Sequence, residues 1–219
     1  MKQIIEGLKY LSNKNIMHRQ IALDNILINY DDENDREKKN IMKGTIKIFG
    51  FGAARYLKKG ELAGSIVGNP MNLSPILLKG LSSEHFKKNV KYNEKEDIWS
   101  LGAICYELLM GKRALDSEEM EELVIKMNKG DYLLPTTLSK EIVSFISCML
   151  QFESDKRPSF DELSQHAFLK KNANEFKRID FKILENETIK GNSYILLNTK
   201  SNEIFKLIIE KEFKKYFNE

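Results

Sequence analysis

The chain opens on a helical stripe. Ile4, Ile5, Leu8 and Leu11 recur at the spacing of one helix face across residues 1–13. A short apolar run, Ile26-Leu27-Ile28, reads as a buried strand, and Thr45-Ile46-Lys47-Ile48 reads as a second. Between them, residues 29–43 carry Asp31-Asp32-Glu33-Asn34-Asp35-Arg36-Glu37-Lys38-Lys39. So charged a segment cannot bury itself and is expected to be a solvated loop. Residues 97–109 are apolar nearly all round, the signature of a helix buried in the middle of a domain.

Three further helices carry start signals. Ser117 with Glu118 and Glu119 precedes Met120, Leu123, Val124 and Met127; Ser139 with Glu141 precedes Ile142, Phe145, Ile146, Met149 and Leu150. Ser159 and Glu162 form a capping box directly after Arg157-Pro158. Beyond residue 169 the pattern changes. Residues 181–184 and 194–197 fit short strands, and 203–217 places Phe205, Ile208, Ile209, Phe213 and Tyr216 on one helical face. The expectation is a mainly α body with a small β element over 1–169, followed by a small α/β extension over 170–219.

Composition narrows the setting. Among 219 residues the formal net charge is +3, too small to argue for nucleic acid or an anionic membrane. No apolar run approaches the roughly 18 residues of a membrane span, and the first residues lack the basic and apolar pattern of a cleavable leader, so none is expected. Cys105 and Cys148 lie inside apolar helical patterns, where buried free thiols are expected, so a reducing, cytoplasmic setting is the default. His18, His85 and His166 have no metal-ligand spacing around them, and no Ser/His/Asp or Cys/His hydrolase constellation is visible.

The chemistry concentrates in Ile16-Met17-His18-Arg19-Gln20-Ile21-Ala22-Leu23-Asp24-Asn25, and again in Phe49-Gly50-Phe51-Gly52. The first stretch resembles the catalytic loop of the eukaryotic protein kinases, H-R-D-L-x-x-x-N, and the second resembles their D-F-G. Asp97-Ile98-Trp99-Ser100-Leu101-Gly102 is similar to the family's D-x-W-S-x-G. Residues 68–76, Asp155-Lys156-Arg157-Pro158 and 165–169 also fall in register. The activation-segment pattern is nearest to serine/threonine kinases and the unc-51-like group.

The resemblance covers 1–169 and implies the C-terminal lobe of a kinase, with no N-lobe ahead of it. Three positions within these two stretches depart from the pattern. Gln20 stands where the family has its proton-accepting Asp, Ala22 where serine/threonine kinases usually have Lys, and Gly50 where the D-F-G Asp holds magnesium. A carboxamide has no useful basicity near neutral pH, and a glycine cannot ligate a cation that demands oxygen.

The expectation drawn from these departures is a pseudokinase: not an enzyme, but an interaction scaffold or a structural subunit of a cytoskeletal or other large assembly. Asn25 would be the surviving nucleotide-site residue, with ATP and magnesium weak or absent. The alternative is a residual ATP-binding or weakly active serine/threonine kinase whose N-lobe is missing from this sequence.

His18, Arg19, Phe51, Gly52, Asp97 and Arg157 are the structural members of the motif. Asp97 would accept hydrogen bonds from the backbone of the His18-Arg19 loop, and Ser65 could supply a phosphate for Arg19 to grip. Ile76 replaces the glutamate that pairs with Arg157 in the family, so Arg157 must find another acceptor or reach solvent. A protein partner, or the chain's own 203–217 helix, is expected to cover the face around 16–27 and 49–52. Neither nucleic acid nor membrane is expected as a partner.

Overall fold

The computed structural model describes residues 1–38, 43–117, 119–130, 134 and 138–170. The N-terminal stripe forms α1 (Lys2–Asn13), which buries Ile4, Ile5 and Leu8. The chain continues through β1 (Ile16–Met17), the loop from His18 to Ala22, a 3-10 turn over Leu23–Asn25 and β2 (Ile26–Asn29). Within the charged insertion lies α2 (Glu33–Glu37), and after it β3 (Thr45–Ile48) pairs antiparallel with β2, setting Ile26 opposite Ile48 and Ile28 opposite Ile46. A 3-10 turn over Phe51–Ala53 precedes β4 (Arg55–Tyr56), which pairs antiparallel with β1.

The rest is helical: α3 (Pro75–Ser82), α4 (Glu84–Asn89), α5 (Lys95–Met110), α6 (Met120–Lys129), α7 (Lys140–Met149), α8 (Phe160–Ser164) and α9 (Ala167–Lys170). This is the expected mainly α fold with a small β element. The α/β extension expected over 170–219 lies, from residue 171 onward, outside the described residues.

Helix α5 organises the packing because its side chains are apolar on every side. Ile98, Leu101 and Ile104 are fully buried among Ile5 and Leu8 of α1, Leu123 of α6 and Phe145, Ile146 and Met149 of α7. A Cβ on Gly102 would lie 2.8 Å from Met149 Cβ, so glycine is what lets α5 and α7 approach so closely. A second cluster of Met17, Leu57, Ala63, Leu73, Leu77, Val90 and Tyr92 fastens the segment between β4 and α3 to the same body.

Two local expectations are refined. The insertion is not a plain loop: Asp32 caps α2 by accepting hydrogen bonds from the Asn34 and Asp35 backbone amides. Helix α6 begins at Met120 rather than beside Ser117, because the Ser117 hydroxyl accepts from the Glu119 amide ahead of the helix. The capping box at Ser159 and Glu162 forms as the spacing predicts.

Arg157 neither reaches solvent nor goes without an acceptor. It is 1% exposed, and its Nη1 donates to Glu96 Oε2 at 2.9 Å. Its other N–H groups donate to the carbonyls of Lys95, Gln151 and Phe152, and the guanidinium lies over the Trp99 ring at 5.1 Å. Glu96 therefore supplies the carboxylate that position 76 no longer offers, and Ile76 itself is 39% exposed.

Replacing Glu96 by Ala leaves a buried guanidinium uncompensated and is expected to cost about 3–5 kcal/mol in denaturant unfolding. Glu96→Gln, which keeps an acceptor oxygen, is expected to cost clearly less. Equal costs for the two would show that the charge, which both variants remove, and not the shape or the acceptor oxygen, is what Glu96 contributes.

Candidate active site

The loop after β1 is held from beneath by one carboxylate. Asp97, buried in the first turn of α5, accepts a hydrogen bond from the His18 amide at 2.7 Å and from the Arg19 amide at 2.8 Å. Burial pushes its carboxyl up to about 6, against the two amides, which favour the charged form; neighbouring Glu96 adds to the rise and Arg19 opposes it. Arg19 sits at φ 65, in the left-handed region that a residue with a Cβ adopts only at a cost.

From that backbone the side chains fan out. The His18 ring is fully buried, and its Nδ1 accepts from the Gln20 amide, so Nε2 carries the proton and donates to the Phe49 carbonyl at 2.8 Å. Burial holds the imidazole below its ordinary pKa and so keeps it neutral. This is a structural histidine that ties the loop to the Phe49–Gly52 turn, with Phe51 packed edge-on to it at 4.9 Å. Arg19 Nε donates to the Ala53 carbonyl at 2.6 Å and Nη1 to Ser65 Oγ at 2.7 Å. The Tyr92 hydroxyl closes this network on the Ser65 carbonyl. Arg19 and Ser65, paired on the sequence reading, do meet here.

The three divergent positions lie at the open rim of the same loop. The Gln20 side chain is exposed, while Ala22 and Gly50 are half-buried. Asn25 Nδ2 donates to the Gln20 carbonyl at 2.8 Å. Gly50 stands at φ 80, and a Cβ built there would run into the Asn25 carboxamide, 2.5 Å from its Cγ and 2.8 Å from its Nδ2. The asparagine thus fills the room that a side chain at position 50 would need. A magnesium ion demands several oxygen ligands in near-octahedral array. This rim offers the carboxamide oxygen of Asn25 and no side chain at all from Gly50. Among the described residues, no three His, Cys, Asp or Glu gather into a group that could hold a metal. The donor set does not fit the cation.

Elsewhere among the described residues, Cys105, Cys148 and His166 pack into the helical body. The two cysteines are free; burial pushes the Cys105 thiol up to about 12 and that of Cys148 up to about 11, which makes both poor nucleophiles. The His166 ring packs at a tilt against Phe145 and shares a hydrogen bond with Ser144. A cavity of about 520 Å³ opens beside Arg157 and His166, but no catalytic-loop residue lines it.

Sequence reasoning missed Glu96 and Tyr92. For Glu96 a signal existed, since two adjacent acids at the start of an all-apolar helix must each find a buried partner. For Tyr92 there was none.

Comparison with known proteins agrees with this geometry. Residues 1–169 match the model of the protein kinase domain. This chain belongs to the protein kinase family. The serine/threonine-protein kinase atg1 of Dictyostelium discoideum is 31% identical over 175 residues, which are 80% of this chain and 24% of that protein. The probable kinase nek3 of the same organism is 33% identical over 171 residues, 76% of this chain and 14% of the relative. A probable cell cycle serine/threonine-protein kinase, the CDC5 homolog of Encephalitozoon cuniculi, is 29% identical over 194 residues, 87% of this chain and 37% of the relative. The chain therefore spans well under half the length of each of these kinases. The match to atg1 agrees with the resemblance to the unc-51-like group. No described helix is long and apolar enough to cross a membrane.

One expectation is corrected by these findings. The chain was expected not to be an enzyme, yet the relatives are named serine/threonine-protein kinases, which supports an enzyme. The physical reason the inference failed is that a lost base lowers a rate by a finite factor, about 10²–10⁴-fold, and does not abolish it.

The raised carboxyl of Asp97 sets a pH dependence. Its folded-state value of about 6 exceeds the ordinary 3.8, so the folded state binds this proton more tightly than the unfolded chain. The contribution is fully present below the unfolded value and is lost as pH rises from about 4 to about 6. Relative to an Asp97→Asn variant, the wild type is expected to lose stability across that window, by up to about 1.4 kcal/mol per pH unit. Chemical denaturation of both proteins at several pH values checks this; parallel curves would refute it.

Proposed function

We propose that this chain is the substrate-facing lobe of a serine/threonine protein kinase with residual ATP binding and slow phosphoryl transfer. The observation that carries this reading is the catalytic loop itself, still pinned by Asp97 at His18 and Arg19 with Gln20 presented at its exposed rim. Phosphoryl transfer passes through a loose transition state in which positioning and charge stabilisation matter more than covalent chemistry. The Gln20 carboxamide oxygen can accept a hydrogen bond from a substrate hydroxyl and orient it, without taking its proton. The substrate hydroxyl then loses its proton to water rather than to the protein. The same rim also serves as a protein-contact face. Phe49 and Phe51, two residues apart in the chain, are 62% and 47% exposed, and exposed aromatic surface favours an interface.

Transfer from labelled ATP to a generic serine/threonine substrate, with the full-length protein, tests the reading. The expected result is slow transfer above background that Gln20→Ala removes and Gln20→Asp raises by about 10²-fold or more. Background activity in the wild type with no gain on Gln20→Asp would overturn it.

A further inference from the structure

We infer that the nucleotide site of this lobe works without a divalent cation: magnesium does not tighten its hold on ATP. This rests on the nucleotide-binding reading above and goes beyond it by naming the form of nucleotide taken. The argument is one of donors and space. A hard cation bridging nucleotide phosphates needs charged or carbonyl oxygens from the protein at fixed positions. Position 50 supplies no side chain. The space that such a side chain would fill is taken by the Asn25 carboxamide, which leans over Gly50 while its Nδ2 donates to the Gln20 carbonyl. That bond commits the amide nitrogen of Asn25 to its own loop and leaves its carboxamide oxygen as the single side-chain oxygen these two positions offer. Glycine at φ 80 leaves room there, and the end of the Asn25 side chain occupies it. The loop adds no lysine in the metal's stead, because position 22 is alanine, so the nucleotide is held weakly and equally in both forms.

Titration of the full-length protein with trinitrophenyl-ATP, in excess EDTA and in millimolar magnesium, reads this directly. The two dissociation constants are expected to agree within about twofold, far short of the tenfold that corresponds to about 1.4 kcal/mol. Gly50→Asp brings back an oxygen ligand, and Asp tolerates the left-handed backbone better than most residues. That variant is expected to bind about tenfold more tightly with magnesium than without. Gly50→Ala displaces Asn25 but adds no oxygen, and is expected to stay indifferent to magnesium; thermal melting confirms that each variant folds. Magnesium tightening of about tenfold in the wild type overturns the inference and leaves the kinase reading standing. Absence of binding in both buffers overturns both. A folded Gly50→Asp variant that gains no magnesium dependence also counts against the inference, since the missing oxygen would then not be the cause.

Discussion

Asp97 holds two consecutive backbone amides nearly eighty residues away in sequence, and the candidate site hangs from that grip. The second of those amides belongs to Arg19, whose left-handed backbone costs on the order of 1–3 kcal/mol and persists only where surrounding bonds over-determine it. With Arg19 so twisted, its side chain reaches Ala53 and Ser65 while His18 turns inward to the Phe49 carbonyl. One buried carboxylate therefore sets the loop, the turn after β3 and the segment beyond β4 relative to one another. Its own burial raises the carboxyl, so the grip is made against a desolvation cost that the two amides only partly offset.

A buried ion pair stands one residue earlier on the same helix. Glu96 and Arg157 join the start of α5 to the turn before α8, with three backbone carbonyls and the Trp99 face completing the guanidinium's surroundings. Adjacent acids on one helix turn thus face different tasks: Glu96 closes the helical body on itself, and Asp97 fastens the loop to that body. This is how the chain tolerates isoleucine at position 76. The charge moved to a neighbouring element while the buried arginine stayed satisfied.

The groups that diverge from the kinase pattern are not those that hold the fold. Gln20 is exposed, and Ala22 and Gly50 are half-buried at the rim, whereas His18, Asp97 and Arg157 are buried. Substitution at the rim changes the chemistry without touching the packing, so the family frame and an altered site coexist in one chain. Fold alone does not specify the reaction; the site residues do. Inactivity does not follow from Gln20 and Gly50 alone, because a lost base lowers a rate by a finite factor.

Much of the architecture was legible in the residues themselves. The stripe of α1, the all-round apolar α5 and the capping box at Ser159 are local patterns whose period is the period of burial, so they can be read without knowing what packs against them. The Asp97 contact with the loop was legible too, through the family motif. Three features were decided only in three dimensions. Glu96, rather than any residue of the activation segment, answers Arg157 because helix packing sets which carboxylate lies within reach across 61 residues of sequence. Tyr92 joins the Arg19–Ser65 network through its hydroxyl, although nothing in its local pattern distinguishes it from a core aromatic. Asn25 fills the space over Gly50 because β2 and β3 pair in one register and bring the two turns together. Periodicity reports which side of an element is buried; which two buried groups meet is settled by the packing of elements far apart in the chain.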